Sequence, residues 1–424
     1  MKPAAAQTYH LAHQASWLRL SFVKPQTIAP SYSPRMNTSF DADLLIIGAG
    51  PAGLSLAAAL AGARLRIAVI ERASLASLAA PAFDGREIAL THASMRRLHE
   101  CGVWARINTS EIAPMKQARV LDGKAALTLM SPRQGEGLGW MVSNQAIRRA
   151  LFDVTGTQEN CSLLTNLTAA SVNTNTKGVE VMLDDGRALR TKLVVAADTR
   201  FSALRRAAGI GAQMTDFGRT MLVCRVAHSE PHHNVATECF GNVQAIAMLP
   251  LNGQLSSYVL TLPTPEIEPL LTMHDDEFTA DARARTEGRW GELKLASSRH
   301  AYPLVAVYAD SFVSRRFALI GDAAVGMHPM TAHGFNFGLA GAHRLAALLR
   351  DASERGADIG AQPLLQRYAS AHRLATWPLF TLTNAIAKLS ADRRPVARFV
   401  RGSGLRLMQT ATPLRRAVEA NLAP

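Results

Sequence analysis

The sequence predicts an α/β fold in which two separated segments build one parallel sheet, with an antiparallel β-sheet lobe between them and a helical C-terminal segment. Three observations predict it. From Asp43, "DLLIIGAGPAGLSLAAALAG" reads as an apolar strand, a glycine turn and a small-residue helix, and "RIAVIER" reads as a second strand. Between residues 215 and 265, three strand-like runs are broken by Pro, Gly and Asn. "RFALIGDAA" then returns to the apolar run typical of a buried parallel strand, and helical patterns dominate from Asn336 onward.

Composition narrows the class of protein. The chain has 424 residues, and 46 Lys and Arg against 33 Asp and Glu give a net charge of +13. Such an excess favours anionic partners: nucleic acid, anionic lipid or phosphorylated cofactors. We find no zinc-ligand spacing and no RNA-binding aromatic signature, so we expect no specific nucleic-acid partner. The four cysteines are scattered, which is typical of reduced thiols in a cytoplasmic protein.

The pattern predicts five segments. Residues 1–40 contain neither Asp nor Glu; we expect a disordered or mis-assigned leader, with an organelle transit peptide as the alternative. Residues 41–210 form the first part of the α/β domain, 211–300 the β-sheet lobe and 301–350 the second part of the α/β domain. Residues 351–424 form the C-terminal helical region.

The first strand–turn–helix unit carries a dinucleotide-binding fingerprint. Gly48, Gly50 and Gly53 form G-x-G-x-x-G. The first glycine permits the tight turn, the second lets the backbone approach a pyrophosphate, and the third allows close helix–strand packing. Glu71 ends the second strand, where a carboxylate can bind a ribose hydroxyl. The unit therefore predicts a Rossmann-like domain, and its other candidate cofactor-binding residues are Pro51, Ala52 and Arg72.

The fingerprint alone does not distinguish NAD from FAD, but two later segments do. "LVVAADTRFSALR" (193–205) and "RFALIGDAAVGMHPMTAHGFNFGL" (316–339) resemble the second and third signatures of the group A flavoprotein monooxygenases, the family of para-hydroxybenzoate hydroxylase. "FDGREIAL", "VSNQAIRRALF" and "FVRGSGLRLM" are similar to the ubiquinone-biosynthesis ring hydroxylases of the UbiH/UbiF/VisC type. The variants in the second and third signatures look most like those of the UbiM branch.

The resemblance implies the para-hydroxybenzoate hydroxylase fold, FAD as cofactor and NADH or NADPH as co-substrate. It implies an aromatic hydroxylation in ubiquinone biosynthesis, in which O2 and a flavin C4a-hydroperoxide place a hydroxyl group on a polyprenylated phenol or quinol. The inserted sheet is then a substrate lobe. The cofactor performs the difficult step, and the protein positions the ring and excludes water.

The resemblance also implies roles for single residues. Arg86 would reach the FAD pyrophosphate or ribose, with a surface salt bridge as the alternative. Either Asn144 or Gln145 would contact the ribityl chain. Asp198 belongs to the second signature, and Gly321 and Asp322 to the third, where Asp322 would bind ribityl hydroxyls or simply cap a turn. The flavin ring would lie against Gly334, Phe335 and Asn336 at the start of a helix, and the candidate catalytic residues are Pro329, His333 and Gly334.

Several positions depart from the family pattern. Thr199 stands for a glycine of the second signature, Ala332 and His333 stand within the usual G-Q-G, and Gly341 replaces a frequent aspartate. These changes keep two rivals open: an isoprenoid reductase of the same fold, and an FAD-binding scaffold without catalysis in a biosynthetic complex. Metal binding by His328 and His333 is disfavoured, because no Cys or second carboxylate stands nearby.

The C-terminal region is basic. Residues 371–424 hold nine Lys or Arg against two acids, with apolar residues between them. One interpretation is peripheral association with the inner face of a membrane or with a ubiquinone-biosynthesis complex. The other is a helix that packs on the FAD domain with a solvated basic face.

Overall fold

The computed structural model describes residues 40–391, apart from residues 124, 132–135 and 242. The expectations for the leader, and for the tail beyond residue 391, lie outside the described residues. Where the chain is described, the α/β fold class predicted from the sequence is confirmed. Apolar runs form strands in three sheets, and helices pack against the sheets.

The strands follow the apolar runs and the half-apolar alternations of the sequence. Their bounds are β1 Ala42–Ile47, β2 Ile67–Glu71, β3 Glu87–Leu90, β4 Ile112–Met115, β5 Gln117–Asp122, β6 Ala125–Met130, β7 Gly139–Ser143, β8 Cys161–Thr165, β9 Ala169–Thr174, β10 Val179–Leu183, β11 Ala188–Ala196, β12 Ala212–His228, β13 Val235–Phe240, β14 Ala245–Pro250, β15 Leu255–Pro263, β16 Leu293–Leu295, β17 His300–Ala309, β18 Val313–Ser314, β19 Phe317–Leu319 and β20 Val325–Gly326.

The helices cover these sheets. Their bounds are α1 Pro51–Ala59, α2 Leu75–Ala79, α3 His92–Glu100, α4 Asn144–Thr155, α5 Ala203–Ala207, α6 Glu268–Thr272, α7 Asp275–Arg285, α8 Gly334–Glu354 and α9 Gln362–Ala391. Short 3₁₀ turns at Gly321–Ala323 and Pro329–Thr331 lie in the third signature. The predicted helical C-terminal segment is present as α8 and α9.

The first sheet is the parallel sheet of the Rossmann-like domain. Its strand order is β18-β19-β11-β1-β2-β8, and β19, β11, β1, β2 and β8 run parallel. The strand β1 is buried along its whole length, because helices pack on both faces of a parallel sheet. The segments before and after the lobe therefore build one sheet, as predicted.

The second sheet is the inserted lobe, in the order β20-β17-β12-β15-β14-β13-β5-β6. The three runs seen in the sequence become β12, β14 and β15, which pair antiparallel. The sheet also takes in β5 and β6 from the first segment, and β13 pairs with β5 in parallel. A strand pairs with residues far away in the sequence. The sequence of a strand with mixed apolar and polar residues, such as β5, therefore does not show which sheet it joins. The limits of the five segments stay a prediction.

Three hydrophobic cores hold these layers. The largest lies around the parallel sheet, and a second lies between the lobe and the helices α6 and α7, where Tyr258 and Phe278 are fully buried. The third joins the lobe to a small antiparallel sheet, β3-β7-β4, through Met141 and Leu251. The small sheet thereby packs on one face of the lobe.

Candidate functional site

Two of the three fingerprint glycines are required by the packing of the chain itself. Gly48 has a φ of +109°, and a Cβ there would lie 2.6 Å from the carbonyl oxygen of Ala197. A Cβ at Gly53 would collide with the carbonyl oxygen of Gly48. These positions therefore set the close approach of β1, α1 and the end of β11, independent of any ligand.

Gly50 differs from its two neighbours in the fingerprint. Its φ of −74° suits any residue, and no described atom lies within 4 Å of a Cβ built there. No described side chain caps the N-terminus of α1, where Pro51 is the first residue. The turn thus presents a bare backbone face and free N–H donors, which suit the approach of a phosphate group.

The carboxylate of Glu71 lies against this turn. Its Oε2 accepts a hydrogen bond from the N–H of Ala49 at 2.7 Å, and its Oε1 accepts one from the N–H of Ala73 at 2.9 Å. The side chain is therefore held in place at the end of β2. Arg72, the next residue, is exposed.

Arg86, just before β3, and Asn144, the first residue of α4, meet at a carboxylate that was not among the candidates predicted from the sequence. Asp84 accepts hydrogen bonds from Arg86 Nη2 at 2.6 Å and from Asn144 Nδ2 at 2.7 Å. Burial opposes the charge of Asp84, but the hydrogen bonds and charge of Arg86, together with Asn144, hold the pKa of this carboxyl below its ordinary value. Gln145 instead donates to the carbonyl of Pro81. The two amides left open by the sequence therefore have different surroundings.

The second signature forms a turn after β11, in which Ser202 and Arg205 are buried. Ser202 caps α5 by accepting a hydrogen bond from the N–H of Arg205, and Arg205 Nη1 donates to the carbonyls of Arg200 and Ala323. Within the described residues, Oδ1 of Asp198 is buried without a hydrogen-bond partner, and burial raises the pKa of this carboxyl despite its bond with Ser202. A buried acceptor without a donor marks a place where a ligand could supply one.

An ion pair joins the second signature to the third. Arg200 Nη2 donates to Oδ2 of Asp322 at 2.9 Å, and Arg200 Nη1 donates to the carbonyl of Val305. Gly321 has a φ of +60°, and a Cβ there would lie 2.6 Å from the Cβ of Ala52 in α1. The third signature thus packs directly on the helix that follows the glycine turn.

The loop before α8 carries the candidate catalytic residues. Pro329 is exposed, whereas His333 is buried and its ring Nδ1 bonds the carbonyl of Thr331. Ala332 has a φ of +54°, in the left-handed region. No described atom lies within 4 Å of a Cβ built on Gly334, so the first residue of α8, like Gly50, leaves bare backbone facing open space.

Asn336 attaches the start of α8 to the end of β3. Its Nδ2 donates to the carbonyl of Ala89 at 2.9 Å, and its Oδ1 accepts from the N–H of Thr91 at 3.2 Å. Phe335 is half-buried beside it. The side chain of Asn336 is therefore used for positioning, and the backbone of this first turn is what faces outward.

The parallel sheet explains why these distant residues meet. Gly48, Glu71, Asp198 and Asp322 follow or end β1, β2, β11 and β19, which are adjacent and parallel. The carboxyl ends of parallel strands lie at one edge of a sheet, which is where α/β proteins bind nucleotides.

Comparison with known proteins agrees with this geometry. The family model of the FAD binding domain matches residues 41–382. The chain belongs to this FAD-binding family. Within the family, ubiquinone hydroxylase UbiM of Neisseria meningitidis is 42% identical, over 91% of this chain and 85% of the relative. Ubiquinone hydroxylase UbiL of Rhodospirillum rubrum is 34% identical, over 88% of both chains. The flavin monooxygenase family predicted from the signatures is confirmed.

Solved structures show the same fold. The probable FAD-dependent monooxygenase PqsL of Pseudomonas aeruginosa superposes with a TM-score of 0.67, at 20% identity, over 86% of this chain and 99% of that one. The p-nitrophenol 4-monooxygenase PnpA of Pseudomonas putida gives a TM-score of 0.71 at 17% identity, over 89% of this chain and 96% of that one. The lobe, the small sheet and the FAD-binding domain therefore belong to a fold shared with other flavin monooxygenases.

The residues present fit the cofactor of the FAD-binding family. The bare turn at Gly50, the buried acceptor of Asp198 and the open backbone at Gly334 are features that the chain's own packing leaves unexplained. When bound, FAD supplies the redox chemistry and the activation of O2, with reducing equivalents from NAD(P)H. The chain's own task is to hold the cofactor and substrate in register and to exclude water.

Proposed function

We propose that this protein is an FAD-dependent, NAD(P)H-using ring hydroxylase of ubiquinone biosynthesis, which uses O2 to hydroxylate a polyprenylated phenol or quinol. The observation that carries the proposal is the similarity, along almost the whole chain, to two relatives named ubiquinone hydroxylases. All three flavoprotein signatures are present in that same span.

In this function the site residues take the following roles. The turn at Gly50, with Pro51, Ala52 and the N-terminus of α1, holds the pyrophosphate. Glu71 and Arg86 serve the adenosine half of the dinucleotide, and Asn144 serves the ribityl chain with Asp322. The remaining candidates for contact with the cofactor are Gly48, Gly53, Arg72, Gln145, Asp198, Gly321, Phe335 and Asn336.

The start of α8 supplies the electrostatics of the reaction. Backbone N–H groups at Gly334 and the dipole of the 21-residue helix α8 favour negative charge on a reduced ring placed before them. Pro329 shapes the face where oxygen reacts, and His333 stiffens the loop through its bond to Thr331.

A turnover assay tests the function against both rivals. Purified protein with FAD, NAD(P)H, isotopically labelled O2 and a short-chain prenylated phenol should form a product that contains one labelled oxygen atom. Bleaching of the bound FAD by NAD(P)H should be faster with the phenol than without it. An isoprenoid reductase would remove a double bond without taking up label, and a scaffold would show no acceleration by the phenol.

We further propose that α9 rests on an anionic membrane surface. Leu374, Leu382 and Ile386 are 79%, 50% and 37% exposed, and Trp377 beside them is 38% exposed. The helix contains no Asp or Glu, and none of the described helices is long and apolar enough to cross a bilayer. Exposed apolar groups beside basic residues suit shallow contact with anionic lipid, where each basic residue contributes about 1 kcal/mol. A polyprenylated substrate resides in the same bilayer.

Liposome flotation tests this association. The protein should float with anionic vesicles at low salt and lose most binding at high salt, and Leu374→Ser with Leu382→Ser should weaken binding. Leu75→Ser is the matched control, because Leu75 is 52% exposed on a different helix, α2. Equal recovery with neutral and anionic lipid, or no binding at low salt, would exclude the membrane and favour a protein partner.

A further inference from the structure

The strand β13 carries a carboxyl group on the inner face of the lobe. Its neighbour Cys239 packs on the core that α6 and α7 share with the sheet. Side chains alternate between the two faces of a strand, and β13 pairs with β14 in regular register around this position. Glu238 therefore points to the opposite face, away from the two helices.

That opposite face looks onto the candidate site. In the register of the sheet, Glu238 aligns with Ala247, Val259, Val223 and His300. At the far end of this row, a Cβ on Gly85 would lie 2.7 Å from Val223 Cγ2 and 3.0 Å from His300 Cδ2. Gly85 stands between Asp84 and Arg86. The line of aligned residues from His300 to Glu238 therefore starts next to Asp84, which bonds Arg86 and Asn144.

The same face is held next to the start of α8. Leu249, on the inner face of β14, and Ala89 of β3 both pack against the third core, and the carbonyl of Ala89 accepts the hydrogen bond of Asn336. Ala247 is the next residue on that face, and Glu238 is its partner across the strands. Glu238 thus lies beside Ala247, two residues along β14 from Leu249, which packs where the lobe and the small sheet touch.

The carboxyl group itself has no partner. Among the described residues, no group donates a hydrogen bond to it or forms an ion pair with it. Its surroundings raise the pKa of Glu238 to about 8 through burial alone. Yet the residue is not completely covered, so part of it stays accessible from outside. An unpaired carboxyl inside a protein is costly, and here the apolar residues Ala247 and Val120 flank it on the two neighbouring strands.

We propose that Glu238 binds the substrate: its ionised carboxylate accepts a hydrogen bond from the phenol hydroxyl of the ring and then takes the proton of that hydroxyl. The proposal rests on the ring hydroxylation proposed above. The O–H bond of the phenol breaks, a new O–H bond forms on a Glu238 oxygen, and the electron pair stays on the substrate oxygen, which enriches the ring at its ortho and para carbons. The hydroxylated carbon then releases its hydrogen as a proton to water and the ring becomes aromatic again, while Glu238 returns its own proton to the substrate oxygen and becomes a carboxylate once more.

Binding titrations test this role without turnover. The full-length FAD-loaded protein is titrated with a short-chain prenylated phenol and with its methyl ether, which lacks the proton, while the flavin absorbance is recorded. Wild type should bind the phenol at least tenfold more tightly than the ether. Glu238→Gln should lose this preference and keep its FAD, and Glu180→Gln, a control at an exposed strand position, should match wild type.

Turnover separates this proposal from the proposed function. With NAD(P)H and O2, Glu238→Gln should yield at least tenfold less hydroxylated phenol for each NAD(P)H consumed, with hydrogen peroxide released instead. If wild type hydroxylates no phenol, the proposed function fails, while the preference for phenol over ether still tests Glu238. The role of Glu238 is overturned if the Gln variant retains that preference, or if it loses affinity for phenol and ether equally.

Discussion

The two glycine-rich segments that meet at the candidate FAD site hold their backbones by different means. Residues 48–53 form one short turn, and side chains at Gly48 or Gly53 would strike neighbouring backbone. Residues 321–336 are longer and are held by side chains instead, through the pairing of Arg200 with Asp322 and of Asn336 with β3.

The difference shows what each segment tolerates. The short turn has no room for a side chain at two of its glycines, so its backbone conformation requires glycine at these positions. The longer loop accepts Ala332 in a left-handed conformation and a buried His333, where the family usually has G-Q-G. We therefore expect substitutions in residues 48–53 to have larger effects than those in residues 321–336.

The largest effect is expected at Gly53. Its Cβ would collide with the Gly48 carbonyl, so Gly53→Ala should lower the free energy of unfolding by about 3 kcal/mol or more, as overpacking against backbone does. Urea unfolding of the apoprotein measures this. Gly50→Ala is the control, since open space surrounds that position. Equal stability of the two variants would contradict our description of the turn.

Gly50→Val should separate cofactor binding from folding. No described atom lies within 4 Å of a Cβ there, so the fold should persist, but a side chain would occupy the path of the pyrophosphate. We expect FAD occupancy of the purified protein to fall at least tenfold, measured as flavin released on denaturation, with an unchanged circular dichroism spectrum. Full occupancy in this variant would remove the turn from the FAD site.

In the longer loop, Asp322 should matter more than His333. Asp322→Ala should weaken FAD binding by about 1.5–3 kcal/mol, the usual value for a hydrogen bond to a charged group, measured by titrating the apoprotein with FAD. His333→Ala should change this affinity less, because its ring Nδ1 bonds the carbonyl of Thr331 in the same loop. Loss of activity in His333→Ala together with zinc in the wild-type protein would point to a metal site instead.

The smallest effect is expected at Ala332. Its φ of +54° costs about 1 kcal/mol for a residue with a side chain, so Ala332→Gly should raise the free energy of unfolding by up to about 1 kcal/mol and leave FAD affinity unchanged. Ala280→Gly, at an exposed position of α7, should lower it by about 1 kcal/mol, as glycine does within a helix. A similar loss in both variants would mean that glycine brings no relief at position 332.

One departure from the family pattern has a direct tertiary explanation. Gly341, where the family often has an aspartate, lies in α8 against α9. A Cβ at this position would lie 2.9 Å from the ring of His372, which is buried and bonded to Arg344. The change thus accommodates helix packing.

By itself, the sequence determined the fold class, the FAD-type turn and the candidates at the ends of strands. These features are local: the glycine spacing sets the turn, and Glu71 and Asp322 each end or closely follow an apolar strand. A glycine that a turn requires, and the spacing of apolar residues in a strand or helix, can both be recognised in a few consecutive residues.

Only the tertiary structure decided which side chains act together. Arg200 and Asp322 are 122 residues apart in the chain, and Asp84 gains its importance from Asn144 in another element. In the sequence, Glu238 is a single polar residue in a strand, and nothing near it indicates a role in a site. Its place on the inner face depends on the register of β13 with β14, and a shift of one residue would turn it toward the helices. Such partners are chosen by packing between distant segments, which no local pattern encodes.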